Sequence, residues 1–126
     1  MALLLDTQAF LWWVAGDPRL SKRAARAIAG TECLLSVASC WEMAIKVSLG
    51  KLTLPGRVER FVQEQLEVNG FSLLAVSLEH VGGVADLPFH HRDPFDRVLA
   101  AQALAEELSV VSVDKVFAKY GVKRVW

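Results

Sequence analysis

A chain of 126 residues fits one compact domain, residues 1–126, and is long enough to bury roughly two-thirds of its unfolded surface without a staple. Its 14 basic and 14 acidic residues cancel, so no global positive field announces a nucleic-acid ligand. No uncharged run approaches the ~20 residues of a membrane span, and residues 1–6 lack the basic region and cleavage site of a signal peptide. The hydrophobic fraction of 53% and mean hydropathy of +0.32 are high for a soluble monomer. A buried parallel sheet would absorb part of that excess, and a self-association surface the rest. Cys33 and Cys40 lie in apolar stretches, match no zinc spacing and read as buried thiols of a reducing cytosol. A cytoplasmic location is expected.

Residues 2–5 form a short apolar run that predicts a buried strand, and helical signal follows through Ala15. Ser21 is an N-cap candidate for a helix to Ala29, ended by Gly30. Residues 33–37 predict a second strand, and residues 39–49 a helix stopped by Gly50. Val58, Phe61, Val62 and Leu66 keep helical spacing up to Gly70. Residues 71–76 predict a third strand and residues 78–85 a short helix. Asp93-Pro94 opens a helix to about Glu107, residues 108–113 form a fourth strand, and residues 122–125 a fifth. Strands alternating with helices predict an α/β fold, a three-layer α/β/α sandwich around a central parallel sheet of four to five strands.

Four carboxylates fall at related places in this plan. Asp6 follows the first strand and Asp114 the fourth. Glu42 is expected in the first turn of the helix after the second strand, and Asp96 in the first turn of the long helix. Ligands of open α/β sheets bind at this edge, beyond the strand C-termini. Capping is the alternative for each acid taken singly, because carboxylates at helix N-termini satisfy free N–H groups. Ser39-x-x-Glu42 has the form of a capping box, and Asp93-Pro94 that of an N-cap followed by proline. As a set the acids argue otherwise. At ~4 Å and an effective dielectric near 20, each like-charged pair repels by roughly 4 kcal/mol. Raised pKa values or a bound cation must offset that, and an oxygen-liganded Mg²⁺ or Mn²⁺ ion suits the donors.

Four segments carry a resemblance. They are Leu3-Leu4-Leu5-Asp6-Thr7, the stretch from Ser36 to Lys46 containing Trp41-Glu42-Met43, His91-Arg92-Asp93-Pro94-Phe95-Asp96-Arg97 running on to Ala103, and Val111-Ser112-Val113-Asp114. In this order they resemble the PIN-domain family across essentially the whole chain, and within it the VapC toxins of type II toxin–antitoxin modules. The resemblance implies a Mg²⁺- or Mn²⁺-dependent endoribonuclease with an RNA substrate, an α/β/α fold, an antitoxin partner and a homodimer. It places Asp6, Glu42, Asp96 and Asp114 at the family's four acidic positions. Asp6, Asp96, Asp114 and Glu42 are then the expected metal site, the three aspartates holding the ion partly through water and Glu42 binding metal-bound water or helping to deprotonate the attacking water. Register assigns Asp96 to the site and leaves Asp93 as the cap. Thr7 and Ser112 match hydroxyl positions beside the acids.

The remaining candidates carry less. Lys46 is a phosphate contact or a solvated lysine. Adjacent His90 and His91 diverge in direction and read as loop residues. Trp12, Trp13 and Trp41 fit core or dimer packing better than base stacking. Arg19, Lys22, Arg23 and Arg26 form one basic group, and Lys115, Lys119, Lys123 and Arg124 another. A phosphoacceptor receiver domain shares the size and acidic edge, but it needs an acidic pair after strand one and an aspartate ending strand three. A PIN module that binds without cutting is the other alternative, and retention of all four acids speaks against it.

Overall fold

The computed structural model describes residues 2–126. Five strands build one sheet: β1 (Ala2–Leu5), β2 (Glu32–Ser36), β3 (Ser72–Leu74), β4 (Ser109–Val111) and β5 (Arg124–Val125). All neighbours pair in parallel, in the order β3-β2-β1-β4-β5. The helices are α1 (Thr7–Ala15), α2 (Lys22–Gly30), α3 (Val37–Ser48), α4 (Val58–Asn69), α5 (Leu78–Asp86), α6 (Pro94–Glu106) and the single turn α7 (Val116–Lys119). The expected α/β/α sandwich is observed. No helix among the described residues is long and apolar enough to cross a membrane.

The layers follow from strand alternation. Leu3 and Leu5 of β1 face one way and join Cys33, Leu35 and Val111 under Ala9, Phe10, Ala24, Met43, Phe61 and Val62. Leu4 faces the other way and joins Val110 under Leu99, Ala100, Ala103, Val116 and Phe117. Each face is therefore covered by helices, which is why the strands read as continuous apolar runs rather than alternating ones. Trp12 and Trp13 pack at the rim of the first layer, with Trp12 against Trp126 at 5.8 Å and Trp13 donating to Asn69 at 3.0 Å. Burial pushes the free thiols of Cys33 and Cys40 up to about 11.

Several boundaries differ from the expected ones. The second strand ends at Ser36, whose hydroxyl accepts the Ala38 N–H at 3.0 Å and starts α3 two residues early. The capping box at Ser39 therefore does not form. Ser39 is buried inside the first turn, and Glu42 sits in the second turn rather than the first. β3 and β4 are shorter than their apolar runs, because Val76 and Val113 lie beyond the ladders. α7 was not foreseen; four residues are too few for a periodic signal. Ser21, Asp93 and Gly70 act as expected at the ends of α2, α6 and α4.

Arg97 ties the α5–α6 connection to the body. It is buried, and its guanidinium donates to the carbonyls of Pro88 at 2.8 Å, Val84 at 3.1 Å and Leu87 at 3.2 Å. It also lies 4.6 Å from the Phe89 ring centroid. A planar five-donor group is needed to reach three carbonyls at once. Arg97→Leu is expected to lower the stability of the metal-free protein by about 2 kcal/mol, because the buried Leu87 carbonyl and the part-buried Val84 and Pro88 bonds lose a donor that leucine cannot replace. Urea denaturation checks this value.

Candidate active site

The strand order reverses between β1 and β4, and the crevice beyond their C-terminal ends is where the acids meet. Asp6 ends β1, with its backbone N–H bonded to Val111 O at 3.1 Å across the switch point. Its Oδ1 accepts the Ala9 N–H at 2.8 Å, so Asp6 does cap α1. The Ser112 hydroxyl also bonds its carboxylate. Burial nevertheless dominates and pushes the Asp6 carboxyl up to about 6, against the pull of Ser112 and Ala9; the charges of Glu42 and Asp114 push the same way.

Asp114 follows β4 by three residues, at the start of α7. Its Oδ1 accepts the Val116 N–H at 2.9 Å, and its own N–H donates to Ser112 Oγ at 2.9 Å. The fully buried Ser112 thus links Asp6 and Asp114, the two acids that flank the switch point. Glu42 enters from α3. Thr7 Oγ1 donates to its Oε1 at 2.7 Å, and Lys46 Nζ lies 3.0 Å from its Oε2, one turn on. Thr7 and Ser112 orient carboxylates. Lys46 is paired with the site rather than free in solvent.

Asp96 occupies the first turn of α6 without capping it. That task falls to Asp93, whose Oδ1 accepts from Phe95 N at 2.9 Å and Asp96 N at 3.3 Å. The Asp96 carboxyl is pushed up to about 7, chiefly by burial and then by the charges of Asp93 and Asp6; His91 opposes this and Asp114 adds to it. Asp93 caps the helix, as its register predicts. The capping alternative proves partly true: Asp6 caps α1 and Asp114 holds the Val116 N–H at the start of α7, and both also face the cluster, whereas Glu42 and Asp96 face it without capping.

One residue of the cluster was read differently. His91, expected as a loop residue, places Nε2 3.0 Å from Asp96 Oδ2 and 3.4 Å from Asp114 Oδ2. Its neighbour His90 turns away to Tyr120, with ring centroids 5.3 Å apart. The diverging directions were foreseen, but they mean that one of the two enters the site. Trp41 packs edge-on to Phe95 at 5.2 Å, joining the helix of Glu42 to that of Asp96, and remains 64% exposed. Of the first basic group, Arg19 pairs with Asp17 at 2.7 Å. In the second, Arg124 donates to Val113 O at 3.1 Å, while Lys115, Lys119 and Lys123 are exposed.

The sequence matches the model of the PIN domain over residues 3–123. A search of curated proteins gave no significant match. Solved structures of similar fold include VapBC2 from Rickettsia felis bound to a DNA fragment from its promoter, at 15% identity and TM-score 0.69 over 100% of both chains. FitAcB from Neisseria gonorrhoeae matches at 20% identity and TM-score 0.69, over 97% of this chain and 95% of that one. A toxin–antitoxin complex from Klebsiella pneumoniae matches at 16% identity and TM-score 0.61, over 92% and 90%. At such identities the likeness speaks for the fold. The family match spans nearly the whole sequence and leaves no place for the receiver-type alternative: the chain belongs to the PIN-domain family.

Proposed function

We propose that the protein is a divalent-metal-dependent endoribonuclease and the toxin of a toxin–antitoxin pair. One observation carries this reading: Asp6, Glu42, Asp96 and Asp114 converge from four different elements on the crevice at the sheet's switch point. Membership in a family of nucleases supports the hydrolytic class. The donor set is all carboxylate oxygen, the chemistry that suits Mg²⁺ or Mn²⁺. The upward shifts of Asp6 and Asp96 fit the same reading, since they mark sites where ionised carboxylates lack a compensating charge.

Asp6, Asp96 and Asp114 would hold the ion. When bound, it supplies Lewis-acid polarisation of the phosphodiester and lowers the pKa of water. Glu42, fixed by Thr7 and Lys46, takes a proton from the attacking water. The new bond forms from that water's oxygen to phosphorus, the P–O3′ bond breaks, and the leaving oxygen gains a proton. The products are a 5′-phosphate and a 3′-hydroxyl. Ser112 keeps Asp6 and Asp114 at a fixed separation throughout. An antitoxin would inhibit by placing an arginine among the acids, where charge-assisted, bidentate contacts replace the cation. The complexes of similar fold support such a partner. The exposed Val37, Trp41 and Leu73 beside the hollow between α3 and α4 offer apolar surface for an antitoxin or a second copy.

Incubation of total RNA with the protein, with and without Mn²⁺, tests the activity. Metal-dependent cuts bearing 5′-phosphates are expected, and intact RNA would favour the binding-only alternative. The two aspartates of the third segment give a sharper expectation. Asp96→Asn abolishes cleavage, weakens Mn²⁺ binding and leaves the metal-free protein as stable or more stable. Asp93→Asn keeps fold and much of the activity, because asparagine caps nearly as well as aspartate. Cleavage assays and calorimetric Mn²⁺ titrations on both variants check this pair.

A pH dependence follows from the raised carboxyls. In the folded, metal-free protein Asp6 holds its proton to about 6 and Asp96 to about 7, whereas both release it near 3.8 when unfolded. Between these limits the native state binds more protons, so the contribution of these acids to stability falls as pH rises toward 7. Melts in chelator should show wild type losing stability relative to Asp96→Asn between pH 5 and pH 8. Mn²⁺ affinity should change in the opposite direction, weakening as pH falls from 7 to 5.

A further inference from the structure

His91 is none of the four acids, yet the fold delivers its ring to them. Nε2 lies within hydrogen-bonding distance of Asp96 Oδ2 at 3.0 Å and just beyond a short contact with Asp114 Oδ2 at 3.4 Å. Nδ1 faces the backbone N–H groups of Arg92 at 3.0 Å and Asp93 at 3.4 Å. A backbone N–H only donates, so Nδ1 must present its lone pair, and the ring proton belongs on Nε2. That edge of the ring lies beside the two aspartates, at ion-pair distances from both.

The geometry also admits a metal triad on its face. One ligand atom each from His91, Asp93 and Asp96 lie within 4.8 Å of one another. Two features argue against it. Nε2 carries a proton where a metal ligand needs a lone pair. Asp93 Oδ1 accepts two N–H groups, those of Phe95 and Asp96, where Asp6 and Asp114 each give one oxygen to a single N–H at a helix start. We propose that His91 is a positioning residue: its Nε2 edge sits between Oδ2 of Asp96 and Oδ2 of Asp114, which come from different elements, and fixes how the two carboxylates face each other in the crevice. This rests on the reading that the acids hold a divalent ion and adds a residue that controls their arrangement. The ring itself is held from behind by two amides of the segment that ends in the Asp93 cap. The preceding stretch is held in turn by Arg97 through Leu87 and Pro88. Partners of metal ligands that act by hydrogen bonding typically change metal affinity 10- to 100-fold when removed.

Three measurements test the proposal. Nitrogen-15 NMR of the metal-free protein at pH 8 should show the proton of the His91 ring on Nε2; a proton on Nδ1 overturns it. Electron spin-echo spectroscopy of the Mn²⁺-loaded protein should show no directly bonded nitrogen, whereas strong nitrogen-14 coupling that is lost in His91→Leu would make His91 a ligand. In calorimetric titration, His91→Leu should bind Mn²⁺ roughly 10-fold or more weakly, with an unchanged thermal melt, and His91→Gln, which keeps an N–H donor, should recover most of that loss. Equal affinity in wild type and His91→Leu, or no recovery in His91→Gln, overturns it. A wild-type protein that binds no Mn²⁺ would sink the metal reading itself, and the metal-free nitrogen spectrum would still decide the hydrogen bond.

Discussion

The arrangement of this molecule depends on the repulsion among carboxylates that a parallel sheet concentrates at one edge. Every strand of such a sheet ends on the same side, and every following helix begins there. Acids that are individually useful as caps are thereby drawn together. The protein manages the repulsion in several ways at once. Ser112, Thr7 and Lys46 donate to or pair with Asp6 and Glu42, His91 lies 3.0 Å from Asp96, and two carboxyls are pushed up to about 6 and about 7. A divalent cation would relieve what remains. In the proposed chemistry the same excess of negative charge that weakens the metal-free fold at neutral pH is the source of metal affinity.

Capping and ligation are compatible uses of one side chain. Asp6 and Asp114 each commit one oxygen to a helix N-terminus, which fixes the direction of the carboxylate and leaves the other oxygen toward the crevice. Asp96 is spared that duty because Asp93 takes it, three residues earlier in the chain. In the proposed site, two neighbouring aspartates divide two tasks that the other elements combine in one residue.

Much of this was readable from the chain. Continuous apolar strands, the glycine stop after Asn69 and the Asp93-Pro94 start mark elements whose physics is local, and they fall where expected, whereas α2 runs through Gly30 to a cap at Thr31. The positions of the four acids follow from those elements together with the family resemblance. What was not readable depends on geometry across the chain. The early start of α3 arises from competition between two serines as caps, and Ser36 wins because its backbone is already extended at the end of β2. Which of two adjacent histidines enters the site is decided by a tight loop that Arg97 fastens from an element further along. An arginine in a helix pattern reads as exposed, and only the packed structure turns it inward onto three carbonyls.

Diffraction from crystals grown with Mn²⁺, recorded at a wavelength where manganese scatters anomalously, tests the central claim most directly. An anomalous peak within coordination distance of Asp6, Asp96 and Asp114, with Glu42 near it and His91 outside its ligand sphere, is the predicted result. A peak held by His91 and Asp93 instead, or no peak in the crevice at saturating Mn²⁺, would contradict the account.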